Sequence, residues 1–474
     1  MLSDIRYNIS RAGCEAAWQC ARRGLTAHLY EMRPVRSTPA HQTDKFAELV
    51  CSNSLKSLSE FTAPWLLKEE MRRGGSLLMD IAHLTAVPAG HALAVDRALF
   101  AAQVTEAVSH HPNIVVHREE VTRIDENALT IVATGPLTSD ALSNEIARLA
   151  LGGPPLSSPP LAGQDGAVPN PHLYFYDSIS PIVETDSIDH SRVYLKARYD
   201  KGSADYINCP MNREEYDRFY DALVSAESVE EKDWEKLNYF ESCLPIEEIA
   251  RRGRDTLRFG PMKPVGLIDP RTGQRPYAVV QLRQENLRAD SYNIVGFQNH
   301  LRFPEQARVF RLIPGLENAR FLRYGQIHRN TYINSPTLLT PTLQMKAHPL
   351  VMFAGQISGV EGYVESIGTG LLAGMHAAAL ALGRGPSPAP RETALGSLVH
   401  YITGANPRNF QPANITFDLL PPLETKIRDR AERHKQQCEL ALHALDAWLA
   451  DFESPPRKDP GTERMPPKRF GEKF

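Results

Sequence analysis

Nowhere in this 474-residue chain do two cysteines form a C-x-x-C pair. The six cysteines (Cys14, Cys20, Cys51, Cys209, Cys243, Cys438) are scattered, so no zinc spacing and no metal site is expected. A disulfide scaffold does not suit so long a chain, and cytosolic thiols are the expectation. Each is then either a buried small hydrophobe or a nucleophile. Also lacking is any apolar run near the ~18 residues of a membrane span. The opening MLSDIRYN has neither the charged n-region nor the apolar h-region of a signal peptide, so a cytoplasmic protein with no membrane partner is expected. Charge of one sign is missing too. A net charge of -3 excludes a globally basic nucleic-acid binder and leaves room only for local basic patches. No internal repeat is present.

What is there is ordinary globular composition, 42% apolar and 23% charged, in a chain long enough for two or three domains. Residues 14–23, CEAAWQCARR, predict a helix stopped at Gly24, and LTAHLYE (25–31) predicts the strand after it. Helices are predicted over 64–80 and 96–110, a hairpin over 113–124, and a buried strand over 129–135. Residues 152–171, GGPPLSSPPLAGQDGAVPNP, read as a surface loop or linker. From about 174 to 325 short strands (YLKARY, YAVVQLR, YNIVGFQ) alternate with charged helices at 212–227 and 229–238. Residues 351–382 then predict a strand, a glycine-rich loop and a long Ala-rich helix, and the tail from Ser454 is Pro-rich and basic, as disordered segments are.

The stretch RYNISRAGCEAAW resembles a dinucleotide-binding βαβ unit that has lost its phosphate turn. Glycines at that turn let the backbone approach a pyrophosphate resting on the helix N-terminus, and an acid about twenty residues later takes the ribose hydroxyls. Gly13 stands where the third glycine belongs and Glu31 follows eighteen residues later, but Asn8 and Ser10 replace the first two glycines. Their Cβ atoms restrict the positive-φ turn, so weaker dinucleotide binding is expected. Ser10 and Arg11 have groups able to hydrogen-bond phosphate. Two more segments point to a flavin fold. Ala133, Thr134 and Gly135 end an apolar strand, and FAGQISGVEGYVESIGTGLLAG (353–374) sets Gly355, Gln356, Gly359 and Gly362 before a helix N-terminus. Gly370 and Gly374 are equally compatible with close packing of that helix on a sheet.

Two cysteines have suggestive neighbours. Cys51 precedes the polar run Ser52-Asn53-Ser54, and Cys243 precedes Pro245 and the basic run Arg251, Arg252, Arg254 and Arg258. That run reads either as a phosphate contact or as the solvated face of a helix end. Polar clusters at strand ends, Arg283, Gln298 with His300, and His328-Arg329-Asn330, are ligand candidates of the same open kind.

Taken together, YEMRPVRSTPAHQTDKFAELVCSNSLKS, LLKEEMRRGGSLL, VPAGHALAVDR, ATGPLTS, FYDSISPIVE, FGPMKPVGL, RPYAVVQLRQ, YNIVGFQNHL and FAGQISGVEGYVES closely resemble the folate- and FAD-dependent tRNA (uracil-5-)-methyltransferase family, TrmFO. The resemblance starts abruptly at Ala12, where a member reads about I-G-G-G-L-A-G, and runs to roughly residue 440. It implies an α/β fold: a Rossmann-like FAD-binding domain of the glutathione-reductase type with an inserted α+β domain. The boundaries implied are 1–173 and 326–450 for the FAD domain, 174–325 for the insertion and 451–474 for the tail. It also implies 5,10-methylenetetrahydrofolate as carbon donor, FADH2 renewed by NAD(P)H as reductant, and C5 of the T-loop uridine at tRNA position 54 as acceptor. On this resemblance Cys243 is a candidate uracil nucleophile and Cys51 lies beside the flavin, with the choice of attacking thiol open. Arg283, Gln298 and His300 fall in the folate and flavin pocket, with Asn299 where Thr is the expected residue. Two rival readings remain: a tRNA-binding protein of the same fold without catalysis, and a general thiol/flavin oxidoreductase.

Overall fold

The computed structural model describes residues 4–8, 11–38, 40–135, 137–151, 172–200, 203–229 and 244–453. The expected linker at 152–171, nearly all of the expected helix at 229–238, Cys243 and the tail from Ser454 lie outside them.

A five-stranded parallel sheet carries the first core, in the order Val351–Phe353, Thr130–Val132, Asp4–Asn8, Thr26–Tyr30, Ile114–His117. Strands Thr130–Val132 and Val351–Phe353 are short, fully buried runs, as parallel strands covered by helices are. The chain leaves Asp4–Asn8 through helix Arg11–Ala21 to Thr26–Tyr30 on one side, while Thr130–Val132 pairs on the other. Strand order reverses there, so a crevice opens beyond the carboxyl ends of these strands.

Helix Tyr363–Ala381 is packed tightly on Arg11–Ala21. A Cβ on Gly370 would stand 2.4 Å from Ala12 O, and one on Gly374 would stand 2.6 Å from Ala16 O. These glycines therefore serve an approach of helix to helix, not of helix to sheet. By length and apolar content Tyr363–Ala381 could also span a bilayer, but 94% of that window is buried inside the protein.

Two sequence expectations need correction. The helix over 64–80 is two helices, Ala63–Arg73 and Leu77–Leu84, because Gly75 takes φ +71° and Ser76 caps the second by accepting from Met79 N. The segment 113–124 is no hairpin. Only Ile114–His117 is a strand, paired parallel with Thr26–Tyr30, and the following residues turn toward the crevice. A neighbouring strand supplies the pairing that the sequence pattern attributed to its own return.

A second core is built on a six-stranded antiparallel sheet, in the order Tyr194–Leu195, Ile207–Met211, Ala278–Gln284, Ser291–Ile294, Ile182–Glu184, Phe321–Arg323. Its apolar cluster includes Val183, Tyr216, Phe219, Ile294 and Phe310, and helix Arg213–Val224 covers it. Strands His172–Ser178 and Ile327–Ile333 pair antiparallel where the chain passes between the two cores. Helix Arg430–Glu453, which no motif announced, buries Cys438, Leu445 and Trp448 on the first core.

His376 is fully buried in helix Tyr363–Ala381, with its ring nitrogens 3.1 Å from Thr342 O and Ser387 O. Burial pulls its pKa down to about 4. A neutral buried histidine contributes stability fully above the unfolded pKa near 6.5 and loses it as pH falls toward 4. Melting curves of wild type and His376→Asn should therefore diverge across that window, with wild type losing roughly 3 kcal/mol more.

Candidate functional site

A crevice opens at the sheet's carboxyl edge. Arg11, Glu31, Arg33, Glu48, Glu120, Thr134 and Leu142 are among the residues that line it. Glu31 leaves the end of strand Thr26–Tyr30 and is buried, held by Arg33 through Nε at 3.0 Å and Nη2 at 2.8 Å. Arg33 also meets Glu48 at 3.1 Å, and Glu48 fixes the loop at Gln42 and Thr43 through their backbone N–H groups. Two carboxylates thus share one guanidinium, which fixes Glu31 as an acceptor facing the crevice. Gly13 is buried in the first turn of helix Arg11–Ala21. Ala133 is buried, Thr134 Oγ1 lies 2.6 Å from Thr138 Oγ1, and Gly135 takes φ +72° at the turn that follows. The structure therefore brings Gly13, Glu31 and Ala133–Thr134–Gly135 to one edge of the sheet.

Arg11, first residue of that helix, is 5% exposed. Its Nη1 donates to Glu48 O at 2.8 Å and its guanidinium lies 3.9 Å from the centre of the Tyr363 ring, while Nε is buried with no hydrogen-bond partner among the described residues. Burial pulls its pKa down, with Tyr363, Cys51 and Cys14 opposing, and no carboxylate is among those causes. An uncompensated buried cation at a helix N-terminus favours an anion. With an acid at Glu31 and this orphaned donor at the helix start, the residues present fit a dinucleotide.

Tyr363 links that crevice to a thiol. Its hydroxyl accepts from the backbone N–H of Cys51 at 2.7 Å, and Cys51 is half-buried. Arg11, Arg97 and Arg323 all interact electrostatically with Cys51. Arg97 is anchored by Glu285 at 2.9 Å, and Arg323 comes from the second core. Burial, followed by Cys51, pushes the Tyr363 hydroxyl up to about 12, so it stays protonated. A partly open thiol that interacts with several guanidinium groups is the kind of cysteine that reacts. The other described cysteines differ. Cys14 and Cys209 are buried with their pKa values raised by desolvation, and Cys438 is pushed up to about 12. Those thiols are inert.

Arg283 reaches across from the second core. Its Nε donates to Asn53 Oδ1 and its Nη2 to Ser52 Oγ, both at 2.9 Å, so it fixes the two residues after Cys51. Gln298 and His300 are not at this point. Gln298 is half-buried and its carbonyl accepts from Ile246 N at 2.7 Å, while buried His300 has Nδ1 2.7 Å from Glu247 Oε1. The glycine loop lies on the other side of Tyr363. Gly355, Gly359 and Gly362 all have positive φ, and Gln356 is buried with Nε2 3.2 Å from Glu361 Oε2. Lys56 bonds both the fully buried Glu365 and Asn414 beside that helix start.

Sequence reasoning missed Arg33, Glu48, Arg97, Arg323 and the pairing of Tyr363 with Cys51. Only Tyr363 carried a signal, since it directly follows Gly362. Arg251, Arg254 and Arg258 pair with Glu248, Asp217 and Asp255.

A family model described as "Glucose inhibited division protein A" matches residues 11–385. A protein of Koribacter versatilis named methylenetetrahydrofolate–tRNA-(uracil-5-)-methyltransferase TrmFO is 72% identical over 93% of this chain and 96% of its own length. One of the same name from Solibacter usitatus is 61% identical over 92% of this chain and 96% of its own. Among solved structures, Aquifex aeolicus GidA superposes with a TM-score of 0.67 over 95% of this chain and 73% of its own, at 16% identity, and shares the fold.

Proposed function

The chain belongs to the TrmFO family of folate-dependent tRNA (uracil-5-)-methyltransferases, and from that premise we propose how its own side chains divide the work. It is a flavoprotein methyltransferase that uses methylenetetrahydrofolate to methylate uracil C5 in tRNA. The crevice takes the adenosine end of FAD, with Glu31 accepting from the ribose hydroxyls. Gly355, Gln356, Gly359 and Gly362 border the flavin end through backbone groups at a helix start. When bound, reduced FAD supplies the hydride that turns the donated one-carbon unit into a methyl. NAD(P)H as the source of that hydride, and the T-loop uridine at position 54 as acceptor, complete the reading.

The protein's part is nucleophilic. A thiolate adding to C6 of uracil moves electron density to C5, which attacks the one-carbon unit; the C5 proton is lost, the folate nitrogen leaves as the amine of tetrahydrofolate, and a hydride to the resulting exocyclic methylene expels the thiolate and leaves a methyl on the restored ring. The observation that carries this reading is Cys51, half-buried, its backbone N–H on the Tyr363 hydroxyl and the two residues after it held by Arg283 from the second core, in electrostatic contact with Arg11, Arg97 and Arg323. Cys51 and Cys243 are the two thiols assigned to this chemistry. Arg283 positions the Cys51 loop through Ser52 and Asn53, and Gln298 and His300, which stand apart from that loop, keep the folate-side role only by the family resemblance.

A T-loop transcript incubated with enzyme, FAD, NADPH and methylenetetrahydrofolate should gain one methyl per chain, with S-adenosylmethionine unable to replace the folate. A transcript with 5-fluorouridine at that position should form a covalent adduct, lost when both Cys51 and Cys243 are alanine. NADPH oxidation without methylation would instead mark a thiol/flavin oxidoreductase.

A further inference from the structure

Arg11 is a buried cation with no carboxylate partner among the described residues. It is 95% removed from solvent by the 5% figure above, it carries a full charge, and its described polar contact is one carbonyl, Glu48 O at 2.8 Å. The Tyr363 ring at 3.9 Å adds a cation–π contact. Nε remains a buried N–H with no acceptor. Removing such a group from water costs free energy unless an acceptor is supplied, and the penalty is largest for a charged donor. Its position shows where the acceptor belongs: Arg11 opens an eleven-residue helix at the carboxyl edge of a parallel sheet and lines the crevice with Glu31 and Thr134. The helix N-terminus and the orphaned guanidinium N–H belong to one crevice-lining residue.

We propose that Arg11 is a ligand for the diphosphate of the bound dinucleotide, supplying by a charged side chain the contact that backbone glycines make at I-G-G-G-L-A-G in the sequences it resembles. The inference rests on the flavin reading of the crevice and adds what that reading lacks, since Asn8 and Ser10 stand in place of the glycines. A guanidinium reaches a phosphate oxygen from the side and does not need the chain to adopt a positive-φ turn beneath it. Recognition then depends on charge, so it weakens with salt as a backbone cradle does not.

The test is equilibrium binding of FAD, ADP and adenosine to the apo-protein, followed by flavin fluorescence and by competition, for wild type, Arg11→Lys and Arg11→Leu. Arg11→Leu should weaken FAD and ADP about 30-fold, the size of one lost charge-assisted hydrogen bond, with adenosine unchanged. Arg11→Lys should keep part of the affinity, and the wild-type affinity should fall with added salt more steeply than that of Arg11→Leu. Leucine fills an apolar site without a charge to bury, so the apo-form of that variant should melt no lower than wild type, which separates a lost ligand from a lost fold. FAD and ADP affinities within threefold of wild type in Arg11→Leu would overturn the proposal and leave the flavin reading standing. So would a variant in which only the reactivity of Cys51 changes, because Arg11 would then be a counter-ion to the thiol. Failure of wild type to bind FAD at all would sink both.

Discussion

Replacing Cys51 by alanine is expected to lower the methylation rate on the order of 10³-fold while flavin content stays at the wild-type level. The expectation follows from surroundings, not from the cysteine alone. Three guanidinium groups interact electrostatically with this thiol, the Tyr363 hydroxyl accepts from its backbone N–H, and it alone among the described cysteines is not buried. Arg97 is held by Glu285 and Arg283 is held by Ser52 and Asn53, so the positive field is fixed in place before substrate arrives. The control is chemical: limited alkylation at neutral pH followed by peptide mapping should modify Cys51 well before Cys14, Cys20, Cys209 or Cys438. Equal labelling of Cys51 and those buried thiols, or full activity in Cys51→Ala, would remove it from the mechanism. Loss of flavin in the variant would mean that the loop, not the thiol, was needed.

Gly370→Val is expected to prevent the first core from forming, and Gly370→Ala to destabilise it by about 3 kcal/mol or more. The added Cβ would meet three backbone atoms of Ala12, at 2.4, 2.6 and 2.9 Å, and backbone cannot rotate aside as a side chain can. Relief requires helix Tyr363–Ala381 to move off Arg11–Ala21, which would carry the Arg11 N-terminus away from the crevice. Gly370→Ala should therefore lose FAD affinity as well as thermal stability. Gly385→Ala is the matched control, because a Cβ there meets nothing within 4 Å. If both variants melt with wild type, the close approach of the two helices is wrong.

Much of the nucleotide layer was legible in the sequence because its signals are local. CEAAWQCARR followed by Gly24 gives a helix and its stop, LTAHLYE gives a strand ending in Glu31, and the glycine loop before Tyr363 announces the next helix. All three are seen, with boundaries shifted by a few residues. The hairpin over 113–124 was misread for the same reason. A short apolar run shows that a strand exists but not which strand it pairs with, and here the partner was Thr26–Tyr30, some ninety residues earlier. The site divides along the same line. Gly13, Glu31 and Thr134 fall on one sheet edge because strand-to-helix turns place them there. Arg283 was recognisable as a ligand-type residue, yet its role in holding Ser52 and Asn53 depends on contact between positions more than two hundred residues apart.

By itself the sequence determined the family, the βαβ order of the nucleotide layer and the absence of the first two glycines of the phosphate turn, since each is a property of residues close together along the chain. Only the tertiary structure decided which charges meet. It placed Arg11 over Tyr363, joined Glu31 to Glu48 through Arg33, paired Arg251, Arg254 and Arg258 with carboxylates, and brought Arg97 and Arg323 into electrostatic contact with Cys51. The physical reason is range: helix and strand signals act over a few residues, whereas a buried charge is defined by whatever the fold packs within a few ångströms of it.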